Sequence, residues 1–275
     1  MKLNQFKILN YKKPKNRFQG LSEAVIYSEI VMSNPLDLSI VIPAYNEAGR
    51  LPATLKTIRD YIEKQTWSVE VIVVNDGSTD ETVRVVEELL TMWKNLRLVD
   101  NHGNCGKGYS VRHGTLQAKG NIVLFSDADL SAPVTELPKL ILPILRDDSD
   151  ITLGSRGIDR SLIGVHQSRF REISGMIFNL LVQITIGLPY KDTQCGFKAF
   201  KREASLPIFE RQTIMGFGFD PEFLYIGRKR GLRIREIPVR WNHVEGTTVH
   251  FLQDSLKMFL DLILIRWNDL NGKYR

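Results

Sequence analysis

Short apolar runs recur along this chain, near residues 38–43, 69–74, 96–99, 121–126 and 150–154, separated by amphipathic segments of helix length. The runs have the length of strands, and the segments between them are long enough to serve as crossover helices. Strands and helices in alternation predict an α/β fold with a mostly parallel central sheet flanked by helices. One domain suffices: 275 residues, 43% hydrophobic and 25% charged, can bury a sizeable core, and no internal repeat or low-complexity tract calls for a second.

No apolar stretch has the unbroken length of a bilayer span. The longest, 176–188, is interrupted by Asn179, Gln183, Thr185 and Gly187 and is expected on a membrane or in the core. The segment 251–267 places Asp254, Lys257 and Asp261 along one helical face and Leu256, Phe259, Leu260, Ile263 and Leu264 around the rest. Such a helix can dock a lipid, lie in the membrane interface, or pack against the rest of the fold. The first 35 residues start basic but lack the apolar centre of a signal peptide, so the expected location is cytoplasmic.

Charge is uneven. Residues 1–36 carry six Lys/Arg against two Glu, residues 223–275 carry ten against five acids, and the stretch between carries 21 against 24. Basic ends on a slightly acidic body suit contact with an anionic surface, although plain solvated lysines and arginines give the same count. No RNA- or DNA-binding motif accompanies them, so a membrane surface is expected and nucleic acid is not. Two cysteines, Cys105 and Cys195, form no Cys-x-x-Cys pair, and the five histidines show no His-x-x-x-His spacing, which excludes a disulfide framework and a zinc site.

The candidate chemistry lies at the ends of the apolar runs. Asp127-Ala128-Asp129 follows Ile122-Val123-Leu124-Phe125, and two carboxylates at i, i+2 on a strand end can hold a divalent ion whose other positions go to water and phosphate oxygens. A second acidic loop, Asp76-Gly77-Ser78-Thr79-Asp80, follows the run 69–74; Asp76 there also suits an N-cap or Asx-turn for a helix beginning near Glu81. A third, Pro43-Ala44-Tyr45-Asn46-Glu47, adds an aromatic ring able to stack on a base and another acid. A fourth, Gly103-Asn104-Cys105-Gly106-Lys107-Gly108, offers backbone N–H groups and one lysine without the spacing of a P-loop or a dinucleotide fingerprint. In a parallel sheet all four loops gather on one edge, where ligands bind.

Taken in order, Val-Ile-Pro-Ala-Tyr-Asn-Glu, Val-Val-Asn-Asp-Gly-Ser-Thr-Asp-Glu-Thr, Gly-Lys-Gly-Tyr-Ser-Val-Arg-His-Gly and Asp-Ala-Asp-Leu-Ser resemble the family 2 inverting glycosyltransferases. Gly154-Ser155-Arg156, Asp192-Thr193-Gln194-Cys195-Gly196-Phe197-Lys198 and Phe219-Asp220-Pro221-Glu222-Phe223-Leu224-Tyr225 narrow the resemblance to the polyprenyl-phosphate sugar transferases, on the dolichyl-phosphate glucosyltransferase branch. The likeness runs from about residue 38 to about residue 249. It implies a GT-A (Rossmann-like) catalytic domain over 37–250, preceded by a basic extension, 1–36, and followed by an amphipathic helix and basic tail, 251–275. Members often carry a membrane-spanning helix at one end; here peripheral attachment is expected instead.

The resemblance also implies roles. Pro43, Tyr45, Glu47, Asp76, Lys107 and Asp127 would bind the nucleotide sugar, with Asp127 and Asp129 holding Mg²⁺ or Mn²⁺. The family's third metal contact, an amide, is replaced here by Ser131. Arg156, Arg169, Arg171 and Ser174 resemble the contacts to an acceptor phosphate, for which an arginine fork has the right geometry, though structural salt bridges also account for arginines. A phosphate acceptor is already ionised near neutral pH; a hydroxyl acceptor would need a base, and Asp220 is the residue placed for that work. Asp192 would orient the acceptor or cap a turn, and His243 lies in a segment that contacts ligand in the family. The implied reaction is inverting transfer of glucose from UDP-glucose to a polyprenyl phosphate at the membrane surface. Alternatives are another donor such as GDP-mannose, a sugar or lipid hydroxyl as acceptor, or a non-catalytic nucleotide-sugar-binding scaffold.

Overall fold

Strand β1 (Asp37–Ala44) pairs in parallel with β2 (Ser68–Asn75) on one side and with β4 (Ile122–Ser126) on the other, Leu38 standing opposite Val69 and Ile122. Its apolar residues are consecutive because both faces are covered, as in parallel sheets wrapped by helices. Ile40 and Ile42 enter one core layer with Leu55 of α1 (Leu51–Ile62), Val86 of α2 (Thr82–Leu90) and Leu140 of α4 (Leu137–Leu145). Val41 enters the other, with Val111 of α3 (Lys107–Gln117) and the helices described below. The computed structural model describes residues 37–244 and 251–275, with side chains of the last segment from Ser255 onward. The expected basic extension over 1–36, the expected boundary at 250 and the side chain of Asp254 lie outside the described residues.

The sheet has seven strands in the order β3-β2-β1-β4-β7-β5-β8, where β3 is Leu96–Asp100, β5 Ile151–Ser155, β7 Phe197–Lys201 and β8 Ile234–Pro238. A separate pair joins β6 (Ile163–Val165) to β9 (Trp241–Asn242). The mostly parallel sheet is the one the apolar runs predict, and all five runs are strands. Two central-sheet strands escape that pattern. β7, Phe-Lys-Ala-Phe-Lys, hides behind Lys198, whose side chain is nonetheless buried, and β8 is interrupted by the exposed Arg235 and the half-buried Glu236.

The direction of β7 matters for the site. It is antiparallel to both β4 and β5, so its first residue, Phe197, stands opposite Ser126, the last residue of β4. The loop that precedes β7 therefore reaches the same edge as the loops that follow β1, β2 and β4.

Beyond the sheet, α5 (Arg169–Ile186), α6 (Arg202–Arg211), α7 (Phe219–Lys229) and α8 (Phe251–Leu270) close the second layer. Each of the two segments expected on a membrane or in the core buries one face and exposes the other. α5 buries Phe178, Val182 and Ile186 and exposes Met176, Ile177, Leu180 and Ile184; α8 buries Leu262 and Ile265 and exposes Leu256, Leu260, Ile263 and Leu264. The polar interruptions of 176–188 are structural: Asn179 and Gln183 both donate to the Tyr190 carbonyl, at 2.8 and 2.9 Å. No helix among the described residues is long and apolar enough to cross a membrane.

Candidate active site

The carboxyl ends of β1, β2 and β4 open onto a cleft of about 840 Å³. Pro43, Tyr45, Glu47, Asp76, Lys107, Asp127 and Asp129 all line it, so the expected nucleotide-sugar and metal residues are brought together. The segment Thr213 to Phe217 and the α8 residues Lys257, Met258, Leu260, Asp261 and Leu264 form the opposite wall.

The loops after β1 and β2 are laced to each other. Asn46 N–H donates to Ser78 Oγ (3.0 Å), Asn46 Oδ1 accepts from Thr79 N–H (2.8 Å), and Glu47 N–H donates to Thr82 Oγ1 (2.8 Å). Asn46 takes a left-handed backbone, φ 57°, tolerable for asparagine, to make these contacts. Asp80 accepts from Ala48 N–H and Thr82 N–H, both at 3.0 Å, and so takes the helix-start role considered for Asp76. Asp76 instead holds the glycine-rich loop: it accepts from Cys105 N–H and Gly106 N–H at 2.9 Å and from Asn101 Nδ2 at 2.8 Å. Gly106 has φ 97°, and a β-carbon there would collide with the Met215 carbonyl; only glycine lets α3 start this close to the far wall.

At the centre, Lys107 Nζ lies 2.7 Å from Asp127 Oδ1 and faces the rings of Phe125 and Phe217 at 5.4 and 5.9 Å. Burial alone would lower the lysine pKa; Asp127 and Asp220 outweigh it, so the ammonium is held above its usual range. Burial pushes the Glu47 carboxyl up to about 7, with Arg50 opposing and Asp129 and Asp127 adding to the rise. Three acids crowded at one end of a cleft make a local excess of negative charge that a cation relieves. Among the described residues no three His, Cys, Asp or Glu side chains form a complete cage, so a hard cation here would be held by Asp127 and Asp129 with phosphate oxygens and water completing its shell, as for a metal that travels with a nucleotide. Ser131, expected in the place of a third metal contact, directs its N–H and hydroxyl to Asp129, both at 2.9 Å, and orients that carboxylate instead.

Asp220 was expected to serve as the base for a hydroxyl acceptor. Its side chain does not line the cleft; it is sealed beneath it, 3% exposed, with Oδ1 2.6 Å from Nζ of the equally buried Lys198. Burial raises its pKa even against the pull of Lys198 and Lys107. In this arrangement the Asp220 carboxylate is held by Lys198 rather than presented to an acceptor in the cleft. Its neighbour Glu222, fully buried, has a structural task that sequence reasoning missed: it accepts from Thr213 Oγ1 (2.6 Å), Ile214 N–H (2.8 Å) and Tyr274 OH (2.6 Å), pinning the segment that forms the far wall.

The expected acceptor-phosphate group is divided and does not line the cleft. Arg156 is spent on a bidentate pair with Asp192, Nε–Oδ2 2.6 Å and Nη2–Oδ1 2.8 Å, stacks near Trp241 at 5.3 Å, and is driven well above its normal pKa because Asp192 overcomes burial. Asp192 thus has the structural task. Arg169, Arg171 and Ser174 sit in the first turns of α5, away from the cleft lining. His243 packs against Trp241, ring centroids 6.2 Å apart. Both cysteines are free, and burial pushes the Cys195 thiol up to about 12, which suits packing rather than reactivity.

On the far wall, burial and the nearby Glu222 push the Asp261 carboxyl up to about 6, with Lys257 opposing. A carboxyl whose folded pKa exceeds its unfolded 3.8 holds its proton more tightly when folded, so stability falls as pH rises from about 4 to 6 and the cost is complete above that. Asp261→Asn is expected to raise stability by about 1 kcal/mol at pH 8, after allowance for solvent screening, with the gain vanishing near pH 4. Thermal melts of both proteins across that range check it; an equal gain at both pH values contradicts it.

Residues 39–209 match the family described as Glycosyl transferase family 2. The chain is 35% identical over 255 residues to a dolichyl-phosphate beta-glucosyltransferase of Trichomonas vaginalis, covering 89% of this chain and 77% of that one. It is 34% identical to the proteins of the same description from Saccharomyces cerevisiae (86% and 76% covered) and Homo sapiens (86% and 77%). Among solved structures, glucosyl-3-phosphoglycerate synthase from Mycobacterium tuberculosis in complex with Mn²⁺, UDP-glucose and phosphoglyceric acid is similar in fold, with TM-score 0.62, 18% identity, and 90% and 84% of the two chains covered. The sheet and helices are thus those of the GT-A fold, and by sequence the chain belongs to glycosyl transferase family 2.

Proposed function

We propose that this protein transfers glucose from UDP-glucose to a polyprenyl phosphate, inverting the anomeric centre, and that it works at a membrane surface. The observation that carries the reading is the convergence of Asp127, Asp129 and Lys107 at the centre of a cleft walled by the loops after β1 and β2. The relatives at 34–35% identity, named as dolichyl-phosphate beta-glucosyltransferases, support the donor sugar and the acceptor class.

Pro43, Tyr45 and Glu47 surround the base and ribose, and the glycine-rich loop that Asp76 holds forms the floor beneath them. Lys107 turns its ammonium from Asp127 toward the diphosphate and stabilises the charge that grows there as the bond breaks. Asp127 and Asp129 would hold Mg²⁺ or Mn²⁺, which would supply Lewis-acid neutralisation of the leaving diphosphate. An acceptor phosphate oxygen attacks the anomeric carbon from the face opposite the diphosphate; the C–O bond to UDP breaks, and UDP leaves with the electron pair. The attacking oxygen carries no proton at neutral pH, so no general base is required. That agrees with Asp220 being sealed under the floor and disfavours a hydroxyl acceptor activated by it.

The test is release of UDP or GDP from a panel of nucleotide sugars with Mn²⁺, with and without a short polyprenyl phosphate, and recovery of labelled sugar in the lipid phase. Stimulation by the lipid with UDP-glucose alone supports the reading. Turnover with GDP-mannose moves the donor, lipid-independent transfer moves the acceptor to a hydroxyl, and no nucleotide release with any donor leaves a binding protein.

A further inference from the structure

α5 and α8 lie side by side over one core, into which Phe178 and Val182 of the first and Leu262 and Ile265 of the second are buried. Their outer faces carry exposed apolar side chains. Among the described residues, twelve of the sixteen exposed large hydrophobic side chains belong to these two helices, including Ile177 and Ile184 on α5 (54% and 71% exposed) and Ile263 and Trp267 on α8 (51% and 63%). Scattered apolar residues on a surface need no explanation, but a concentration of this size on two adjoining helices marks an interaction surface.

The charges around it indicate the partner. No acidic side chain among the described residues of either helix is in the exposed class: Glu172 is paired with Arg160 and Asp269 with Lys229, while Asp261 turns into the cleft. Arg169, Lys257 and Arg266 are exposed. An apolar face rimmed by cations, with a tryptophan among them, fits the headgroup and acyl boundary of an anionic bilayer. A second copy would instead set like charges against each other. The face is also continuous with the cleft, because Leu260 and Leu264 are exposed members of the α8 stripe and line the cleft beside Lys257.

We propose that the outer faces of α5 and α8 seat the protein on an anionic phospholipid bilayer, and that Lys257, Leu260 and Leu264 form the lip over which a lipid-borne phosphate enters the cleft. The lip rests on the polyprenyl-phosphate reading above; the seat does not. Lys257 offers the entering phosphate a cation, and the two leucines offer its hydrocarbon chain an apolar edge, so the lipid need not leave the bilayer entirely.

The seat is tested by sedimenting the full chain with vesicles of phosphatidylcholine and phosphatidylglycerol, without donor or acceptor. The double variants Ile177→Glu/Ile184→Glu and Ile263→Glu/Trp267→Glu, all outside the cleft lining, are expected to lower vesicle binding at least about tenfold while leaving the melting temperature unchanged. Their transfer to a water-soluble short-chain acceptor phosphate is expected to stay at the parent level, while transfer to a long-chain acceptor in vesicles falls with binding. Leu264→Ser is expected to raise KM for the vesicle-borne acceptor and leave KM for UDP-glucose unchanged; equal KM values for both substrates overturn the lip. Variants that sediment like the parent overturn the seat, as does light scattering that shows a parent dimer split by these substitutions. Loss of sedimentation with no transfer to any lipid phosphate overturns the functional reading and the lip, and leaves the seat standing.

Discussion

Asp129→Asn is expected to lower glucosyl transfer by about a hundredfold to a thousandfold while the protein stays folded. The substitution keeps the shape of the side chain and one acceptor oxygen for the Ser131 N–H, while its amide can donate to the Ser131 hydroxyl, so the loop has no reason to collapse. What is lost is one of the two charges that would hold a divalent ion against the donor diphosphate. Stability is expected to hold or rise slightly, because Asp129 adds to the repulsion felt by Glu47. The decisive readout is separate from turnover: titration of Mn²⁺ followed by electron paramagnetic resonance should show markedly weaker retention of the ion in the presence of UDP. Unchanged Mn²⁺ retention together with lost activity would remove Asp129 from the metal site and make it a group that acts on the sugar.

Gly196→Ala is expected to be nearly as damaging, although it removes no chemical group. A β-carbon on Gly196 would overlap the Asp127 carboxylate, because the loop before β7 passes directly against it and the Asp127 N–H donates to the Gly196 carbonyl at 3.0 Å. The carboxylate must move off its position beside Lys107, and misplacement of a reacting group by about 1 Å can cost roughly a hundredfold in rate. The stability loss is expected to be only about 1–3 kcal/mol, the usual range for overpacking. Gly49→Ala, where the added carbon meets open space, is the control and should behave as the parent. Kinetics and melting curves on the three proteins decide the matter; full activity in Gly196→Ala would mean that the position of Asp127 is not critical.

These two residues also show where sequence reasoning works and where it stops. Asp127 and Asp129 were legible because an acid pair directly after an apolar run is a local pattern, and the same holds for the other loops at the ends of β1 and β2. Five strands were legible for the same reason. β7 was not, since Lys198 breaks its apolar run; the lysine is tolerable in the core only because the Cys195 carbonyl and the distant Asp220 meet it there. The burial of Asp220 was not legible, because an acid in a motif looks alike above and below a cleft floor. The pairing of Arg156 was not legible because its partner Asp192 lies 36 positions away. The helix over 251–267 was legible but its place on the cleft was not, and Thr213 to Phe217 left no trace, being shaped by packing and by Glu222 rather than by any cluster of reactive groups.

The Arg156–Asp192 pair has a mechanical meaning beyond its charge. Arg156 directly follows β5, and Asp192 lies just before β7, so the two are the neck of one long excursion that leaves the catalytic edge, carries α5 outward and returns to the same edge. The ion pair buttons that neck shut. The fastening lies next to the loop that braces Asp127, so the two ends of the excursion are held together at the edge that carries the acid pair.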